Sequence, residues 1–343
     1  MKQKKEVTLN ISGDAPILEV ENLTVKYVLE EETVSAVNNV SFCIKKGCTL
    51  GLVGETGAGK TSTAKAIMNM LPVPPSKIES GSVKIYGHDM LNAKPKELEQ
   101  IRGKYVSMIF QDPMTSLNPV FTVGDQIAEA IHKHEQCTKE KAIEKAGIML
   151  ETVGIPRDRA GEYPHQFSGG MKQRVVIAIA LSCNPALLIA DEPTTALDVT
   201  IQAQVLDLMA QLREKYGTSM IMITHDLGIV AEICDDVAVM YAGSIIEYGT
   251  LDEVFNHTKH PYTEGLFNSL PNINKEVAEL KPIPGLMPDP TCLPKGCAFA
   301  PRCPYARPNC INTLQKPRKF SDTHYAMCSA YDDEAFRIER SER

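Results

Sequence analysis

The sequence predicts an α/β protein: a parallel sheet buried on both faces, a smaller antiparallel sheet, an inserted set of helices, and a short tail rich in proline and cysteine. Three observations carry this. The runs TLGLVG (49–54), ALLIADE (186–192) and SMIMITHD (219–226) are nearly continuous apolar stretches, the pattern of parallel strands covered on both faces. The glycine-rich GETGAGKT at 54–61 joins the first of these runs to a helical pattern, STAKAIMNML. Nine of the 22 prolines fall between Lys281 and Pro317, and five of the ten cysteines lie after Pro290, so long helices and central strands are excluded there.

The elements follow in order. ILEVENLTVKYV (17–28), SVKIYG (82–87) and YVSMIF (105–110) alternate apolar and polar residues and read as half-exposed antiparallel strands. TVGDQIAEAIHKH (122–134) and TKEKAIEKAGIMLETVG (138–154) have helical period, the second opened by a Thr138 cap and closed by Gly154 ahead of Pro156. Together they form a helical insertion over about 112–170. The closing DEAFRIERSER is charged and reads as a frayed end or a short exposed helix. There is no internal repeat.

Composition bounds the function. A net charge of −7 and a pI of about 5.7 argue against a large nucleic-acid footprint, which needs a surplus of Lys and Arg on one face. MKQKKEVTLN has no apolar run behind it, and the longest apolar runs, such as VVIAIAL (175–181), are too short to cross a bilayer, so a cytosolic protein without a membrane span is expected. In that setting clustered cysteines point to metal or redox chemistry before disulfides.

GETGAGKT fits G-x-x-x-x-G-K-[ST] in a strand-loop-helix context, where successive backbone N–H groups can wrap an anion. Gly54, Gly57 and Gly59 would permit the turn, with Glu55, Thr56, Ala58 and Ser62 completing the phosphate cradle. Lys60 would reach the β- and γ-phosphates of ATP and Thr61 would ligate Mg²⁺. LLIADE (187–192) supplies the complement: Asp191 for the Mg²⁺ shell and Glu192 to polarise the attacking water. SGG at 168–170 opens a helix, so Ser168 and the N–H groups of Gly169 and Gly170 form a second anion site.

FSGGMKQR (167–174), TTALD (194–198) and THD (224–226) flank the acidic strand, and in this order the chain resembles the ATP-binding cassette (ABC) family over roughly residues 17–255. The resemblance implies a RecA-like core with an antiparallel β-subdomain and an inserted helical subdomain. It implies Gln111 of IFQDP as the lid glutamine, which would share in Mg²⁺ binding and catalysis, an ALD loop at Asp198, and His225 as the switch. It also implies a head-to-tail sandwich with a second cassette whose γ-phosphate faces the SGG turn. Phe167 and Met171 depart from the usual LSGGQ signature, keeping the Ser-Gly-Gly donors but losing a glutamine. Tyr27, at the end of the first strand, is the candidate for adenine stacking.

QDPMTSLNP (111–119), HPYTEGLFNSLP (260–271) and PIPGLMPDP (282–290) extend the resemblance, specifically to the oligopeptide and dipeptide importer ATPases. Residues 1–258 are then the cassette and 259–343 a C-terminal extension. The implied partners are a second ABC ATPase, two transmembrane permease subunits with a helix docking beside Gln111, and indirectly an external substrate-binding protein, on the cytoplasmic face of the membrane. Nickel and sugar importers share this layout, and a soluble cassette ATPase acting on nucleic acid or ribosomes is the alternative of another class. By the same resemblance Cys297, Cys303, Cys310 and Cys328 form a four-thiolate set, Cys292 being a bystander. Such a set holds zinc or a [4Fe–4S] cluster, and the absence of close C-x₂₋₄-C pairs suits the cluster, as folding support for a small separate module.

Overall fold

In the computed structural model, which describes residues 9, 15–195, 197–269 and 282–339, the core is an eight-stranded sheet. The strands in chain order are β1 (Leu18–Val28), β2 (Thr33–Ile44), β3 (Thr49–Val53), β4 (Ser76–Ile85), β5 (His88–Asp89) and β6 (Val106–Ile109), then β7 (Leu187–Asp191), β8 (Ser219–Thr224), β9 (Asp236–Tyr241), β10 (Ser244–Thr250), β11 (Arg318–Lys319) and β12 (Tyr325–Ala326). The large sheet runs β11-β12-β10-β9-β3-β8-β7-β6, and a second, antiparallel sheet runs β2-β1-β4-β5.

Every residue of β3, β7 and β8 is buried, as their apolar runs require. Because strand side chains alternate between faces, Leu188 and Ala190 enter one hydrophobic core and Leu187 and Ile189 the other. The first core is completed by the helices Gly169–Leu181 and Val199–Tyr216 and by the helical insertion. The second is completed by the helix Lys60–Ile67 and the inner face of the antiparallel sheet.

In the insertion, Val123–Glu135 and Lys139–Thr152 are helices whose Thr122 and Thr138 side chains accept from Asp125 N and Lys141 N, the caps that their sequences predict. Tyr105–Phe110 departs from its expectation. Its core, β6, pairs in parallel with β7 and is buried throughout, although it is an edge strand, since helix Gly169–Leu181 and residues of the second core cover it. Alternation alone does not show which sheet a four-residue strand joins.

The tail is not a separate module. β12 extends the large sheet by pairing Ala326 with Glu247 and Tyr325 with Tyr248 of β10. Glu247 is fully buried and accepts from Lys259 N (2.6 Å) and His260 N (2.9 Å), with His324 Nε2 at 2.9 Å. The closing segment is not frayed over its described part: Phe336 and Ile338 are buried with Ala330, beside Tyr305 and Tyr331.

Glu253 fastens the tail to the cassette. Its carboxylate accepts from Thr250 N (2.9 Å), Ser321 Oγ (2.5 Å) and Thr323 Oγ1 (2.8 Å). Burial pushes its pKa up from the ordinary 4.5, but the hydrogen bonds from Ser321, Thr250 and Thr323 outweigh it and hold it down at about 2. A depressed folded-state pKa adds stability that is full above the unfolded value and is lost as pH falls through the folded one. Glu253→Gln should therefore lower the unfolding free energy at neutral pH by about 1–3 kcal/mol. Denaturant titrations at a series of pH values should show the gap to the parent protein narrowing below pH 4.5 and closing near 2, whereas a gap independent of pH would rule out this role.

Candidate nucleotide site

The phosphate loop leaves the end of β3 at the centre of the large sheet. Gly54 and Gly59 adopt φ of 151° and 101°, and a Cβ on them would sit 2.2 Å from Met240 O and 2.3 Å from Ala36 O, so no other residue fits. Gly57 is also left-handed, with φ 86°. The loop turns into helix Lys60–Ile67, which Gly59 caps in the αL conformation. Lys60, 6% exposed, donates from Nζ to Gly54 O (2.7 Å) and Glu55 O (3.1 Å). Burial lowers its pKa, while the carboxylates of Glu192, Asp191 and Glu55 pull the other way.

β7 delivers its two acids beside this loop. Asp191 is buried and accepts from Thr61 Oγ1 at 3.1 Å, joining residues 130 positions apart. Burial raises its pKa and the Thr61 hydrogen bond opposes the rise. A hydroxyl and a carboxylate at the loop's end are the donor types that Mg²⁺ takes.

Glu192 has φ +48°, unusual for a residue other than glycine, and its N–H donates to Ile223 O of β8 at 2.9 Å. That backbone turns the side chain into a gathering of three segments. Gln111 Nε2 donates to its Oε2 at 3.0 Å, Thr195 Oγ1 donates to the same oxygen at 2.9 Å, and His225 Nδ1 stands 3.5 Å from Oε1. The sequence places Gln111, Glu192 and His225 in one site, and the structure brings them together; Thr195 it does not single out.

Ser168 caps helix Gly169–Leu181 by accepting from Met171 N. Gly170 is required by contact: a Cβ there would lie 2.4 Å from Ile201 Cγ2, and one on Gly169 would lie 3.9 Å from Leu197 Cδ2. Asp198 spends its carboxylate on capping helix Val199–Tyr216, accepting from Ile201 N at 3.0 Å. Tyr27, at the end of β1 and half-buried, has its hydroxyl 3.2 Å from Ser62 Oγ, which places the ring at the base of the loop helix.

The four predicted thiols line one cavity. Cys297, Cys303, Cys310 and Cys328 share its wall with His260, Phe299 and Met327, whereas Cys292 is exposed and absent from the lining. Cys297 N donates to Cys310 O at 2.7 Å, and Cys310 Sγ lies 3.6 Å from Ser329 Oγ. Burial pushes the Cys303 thiol up to about 11 and the Cys328 thiol up to about 12. Among the described residues no group of three or more His, Cys, Asp or Glu side chains is gathered so as to hold a single metal ion. The lining has no carboxylate, and His260 is already engaged: its Nδ1 accepts from Tyr262 N at 3.1 Å, and it also bonds the Met327 backbone.

Two residues that sequence reasoning does not find complete the surroundings of the loop. The Tyr262 hydroxyl accepts from Glu55 N at 3.0 Å, and Arg302 pairs with the Glu55 side chain. The local signal for Arg302 is its place before Cys303 in GCAFAPRC (296–303), which fits the family motif G-C-x-F-x-P-R-C but does not name its partner.

The family described as "ABC transporter" matches residues 37–195, and "Oligopeptide/dipeptide transporter, C-terminal region" matches residues 246–310. The oligopeptide transport ATP-binding protein OppD of Bacillus subtilis is 50% identical over 95% of this chain and 92% of its own length. The dipeptide transport ATP-binding protein DppD of the same organism is 48% identical over 93% of this chain and 96% of its own. In fold, a dimeric ATP-binding cassette in a post-hydrolysis state bound to ADP and Pi superposes with a TM-score of 0.61 at 28% identity, covering 68% of this chain and 98% of that one. With the phosphate loop, the acidic strand and the tail all in their expected places, the chain belongs to the ATP-binding proteins of the oligopeptide/dipeptide ABC transporters and is an ABC-type ATPase.

Proposed function

We propose that this ATPase drives uptake of oligopeptides or dipeptides, working at the cytoplasmic face of a membrane through two permease subunits and a second cassette. The observation that carries the reading is the convergence of Gln111, Thr195 and His225 on Glu192, next to the Asp191–Thr61 pair at the phosphate loop. The peptide transport names of the relatives favour this cargo over nickel or sugars, and over action on nucleic acid. No helix among the described residues is long and apolar enough to cross a membrane, so attachment through partner subunits is the reading that fits.

In this reading the N–H groups of Gly54 to Ser62 and the Lys60 ammonium bind the phosphates, Tyr27 meets the adenine, and Thr61, Asp191 and Gln111 hold Mg²⁺. Mg²⁺ would neutralise charge on the phosphate oxygens. Glu192 orients and polarises the attacking water, held for that task by Thr195 and Gln111, and His225 completes the arrangement from the far side. The Ser168–Gly170 turn serves ATP on the partner cassette, with Asp198 shaping the loop beside it. Domain limits at 258/259 and at 112–170 for the helical insertion follow the same reading.

Glu192→Gln should keep ATP binding and lower single-turnover hydrolysis ~100-fold or more, because the amide preserves shape and removes the general base. Lys60→Ala should instead weaken ATP binding by about tenfold or more in an equilibrium titration, the scale of one lost charge-assisted hydrogen bond. A near-parental rate for the first, or unchanged affinity for the second, refutes the corresponding role. Because each site needs the Ser168 turn of another cassette, activity per chain should rise with protein concentration or added partner. High activity from a proven monomer, unchanged by dilution, would sink the sandwich.

For the cysteine cavity we propose a [4Fe–4S] cluster held by Cys297, Cys303, Cys310 and Cys328. The donor set is all thiol, and the sequence lacks the close C-x₂₋₄-C pairs typical of zinc sites. The cluster would supply four covalent ties to a segment poor in regular hydrogen bonds. Anaerobically purified protein should be brown, absorb near ~400 nm and carry about four irons and four sulfides per chain. Replacing any of the four with Ser should bleach it and Cys292→Ser should not; colourless protein with one zinc, or bleaching by Cys292→Ser, would overturn the assignment.

A further inference from the structure

The phosphate loop is gripped from outside by the cysteine-bearing tail. Arg302 meets Glu55 in a two-pronged contact, Nη1 to Oε2 at 3.0 Å and Nη2 to Oε1 at 3.2 Å, across 247 positions of sequence. Its side chain is 6% exposed, and its other hydrogen bonds run from Nε to Pro284 O (2.9 Å), from Nη1 to the Tyr241 hydroxyl (3.3 Å) and from Nη2 to Ile283 O (3.4 Å). All five donors are therefore directed, and the guanidinium is fixed in place. Removing one partner of such a pair leaves a buried charge uncompensated.

Glu55 is held at every polar group. Its N–H donates to the Tyr262 hydroxyl at 3.0 Å, its carbonyl accepts from Lys60 Nζ at 3.1 Å, and its carboxylate meets Arg302. Behind the pair, Tyr241, Tyr262 and Phe299 pack with ring centroids 4.6–5.4 Å apart. Phe299 also lines the cysteine cavity. Met287, from the proline-rich stretch, lies 3.0 Å from where a Cβ on Gly57 would stand.

Arg302 is bracketed by thiols. The 3₁₀ turn Ala300–Arg302 runs between Cys297 and Cys303, with Ala300 N donating to Cys297 O (3.0 Å) and Cys303 N to Ala300 O (3.3 Å). The turn that carries the guanidinium is thus tied by backbone hydrogen bonds to both cysteines.

We propose that Arg302 is a positioning residue of the ATP site, which through Glu55 makes ATP affinity depend on the state of the Cys297 and Cys303 thiols. The inference rests on the ATP-site reading above but not on the identity of whatever the thiols hold. Coupling of this kind is reciprocal: ATP must tighten the hold of the thiol set on its occupant by the same factor.

The test is a thermodynamic cycle on the full chain, read as ATP affinity, with parent, Glu55→Gln, Cys303→Ser and the double variant. Each single variant should weaken ATP binding about fivefold or more, the ordinary scale of coupling between sites. The double variant should be no weaker than the poorer single one, because both break the same link. ATP should also slow the reaction of Cys297 and Cys303 with a thiol reagent, followed by mass spectrometry, in the parent and not in Glu55→Gln, a readout that a merely structural contact would leave unmoved. If Cys303→Ser does not fold, Cys297→Ser takes its place in the cycle and is read by the same criterion. Multiplying effects, or unchanged affinity in folded variants, overturn the link while ATP binding by the parent leaves the ATPase reading standing; a parent that bound no ATP would overturn both.

Discussion

The site depends first on a steric constraint at the end of β3. This strand lies between β8 and β9 with every residue buried, and beyond its end Met240 O and Ala36 O stand where a Cβ on Gly54 or Gly59 would lie only 2.2 and 2.3 Å away. The loop is therefore narrow, all backbone, and followed at once by a helix whose first N–H groups have no intrahelical acceptor. Every other group in the site is placed relative to that turn. β7, the second neighbour of β3, brings Asp191 to Thr61 and Glu192 to the next position out.

The electrostatics follow from burial. Lys60 is driven toward its neutral form and Asp191 toward its protonated form by the same dry surroundings, and each is pulled back by the other's charge or by a hydroxyl. A phosphate chain and a divalent cation are the charges that would relieve both at once. Glu192 is treated differently: a left-handed backbone, a hydrogen bond to β8 and three side-chain contacts hold its carboxylate at the rim. Strain at one residue is tolerable because three segments determine it from outside.

The tail joins this arrangement from the other side of the sheet. β12 pairs with β10, buried Glu247 binds two backbone N–H groups and His324, and Arg302 returns to the phosphate loop. A segment with so many prolines makes few backbone ladders, and it is held instead by side chains reaching into the cassette. Phe299 and Ala300 line the cysteine cavity, and Arg302, the last residue of the same turn, meets Glu55 of the phosphate loop.

Local physics made much of this legible in the amino-acid order. Strands buried on both faces show as unbroken apolar runs, caps as Thr122 and Thr138 ahead of helical period, and the loop as glycines before Lys60 and Thr61, because each depends on residues within a turn or a strand of one another. The order of motifs extended that reading to Glu192, Gln111 and His225. Tertiary structure alone decided the rest. It made β6 a parallel strand of the large sheet, buried Phe336 and Ile338, and set Arg302 on Glu55. These are contacts between surfaces that periodicity cannot name: spacing reports which face a side chain occupies, while its partner across 247 residues is chosen by how the faces stack in space.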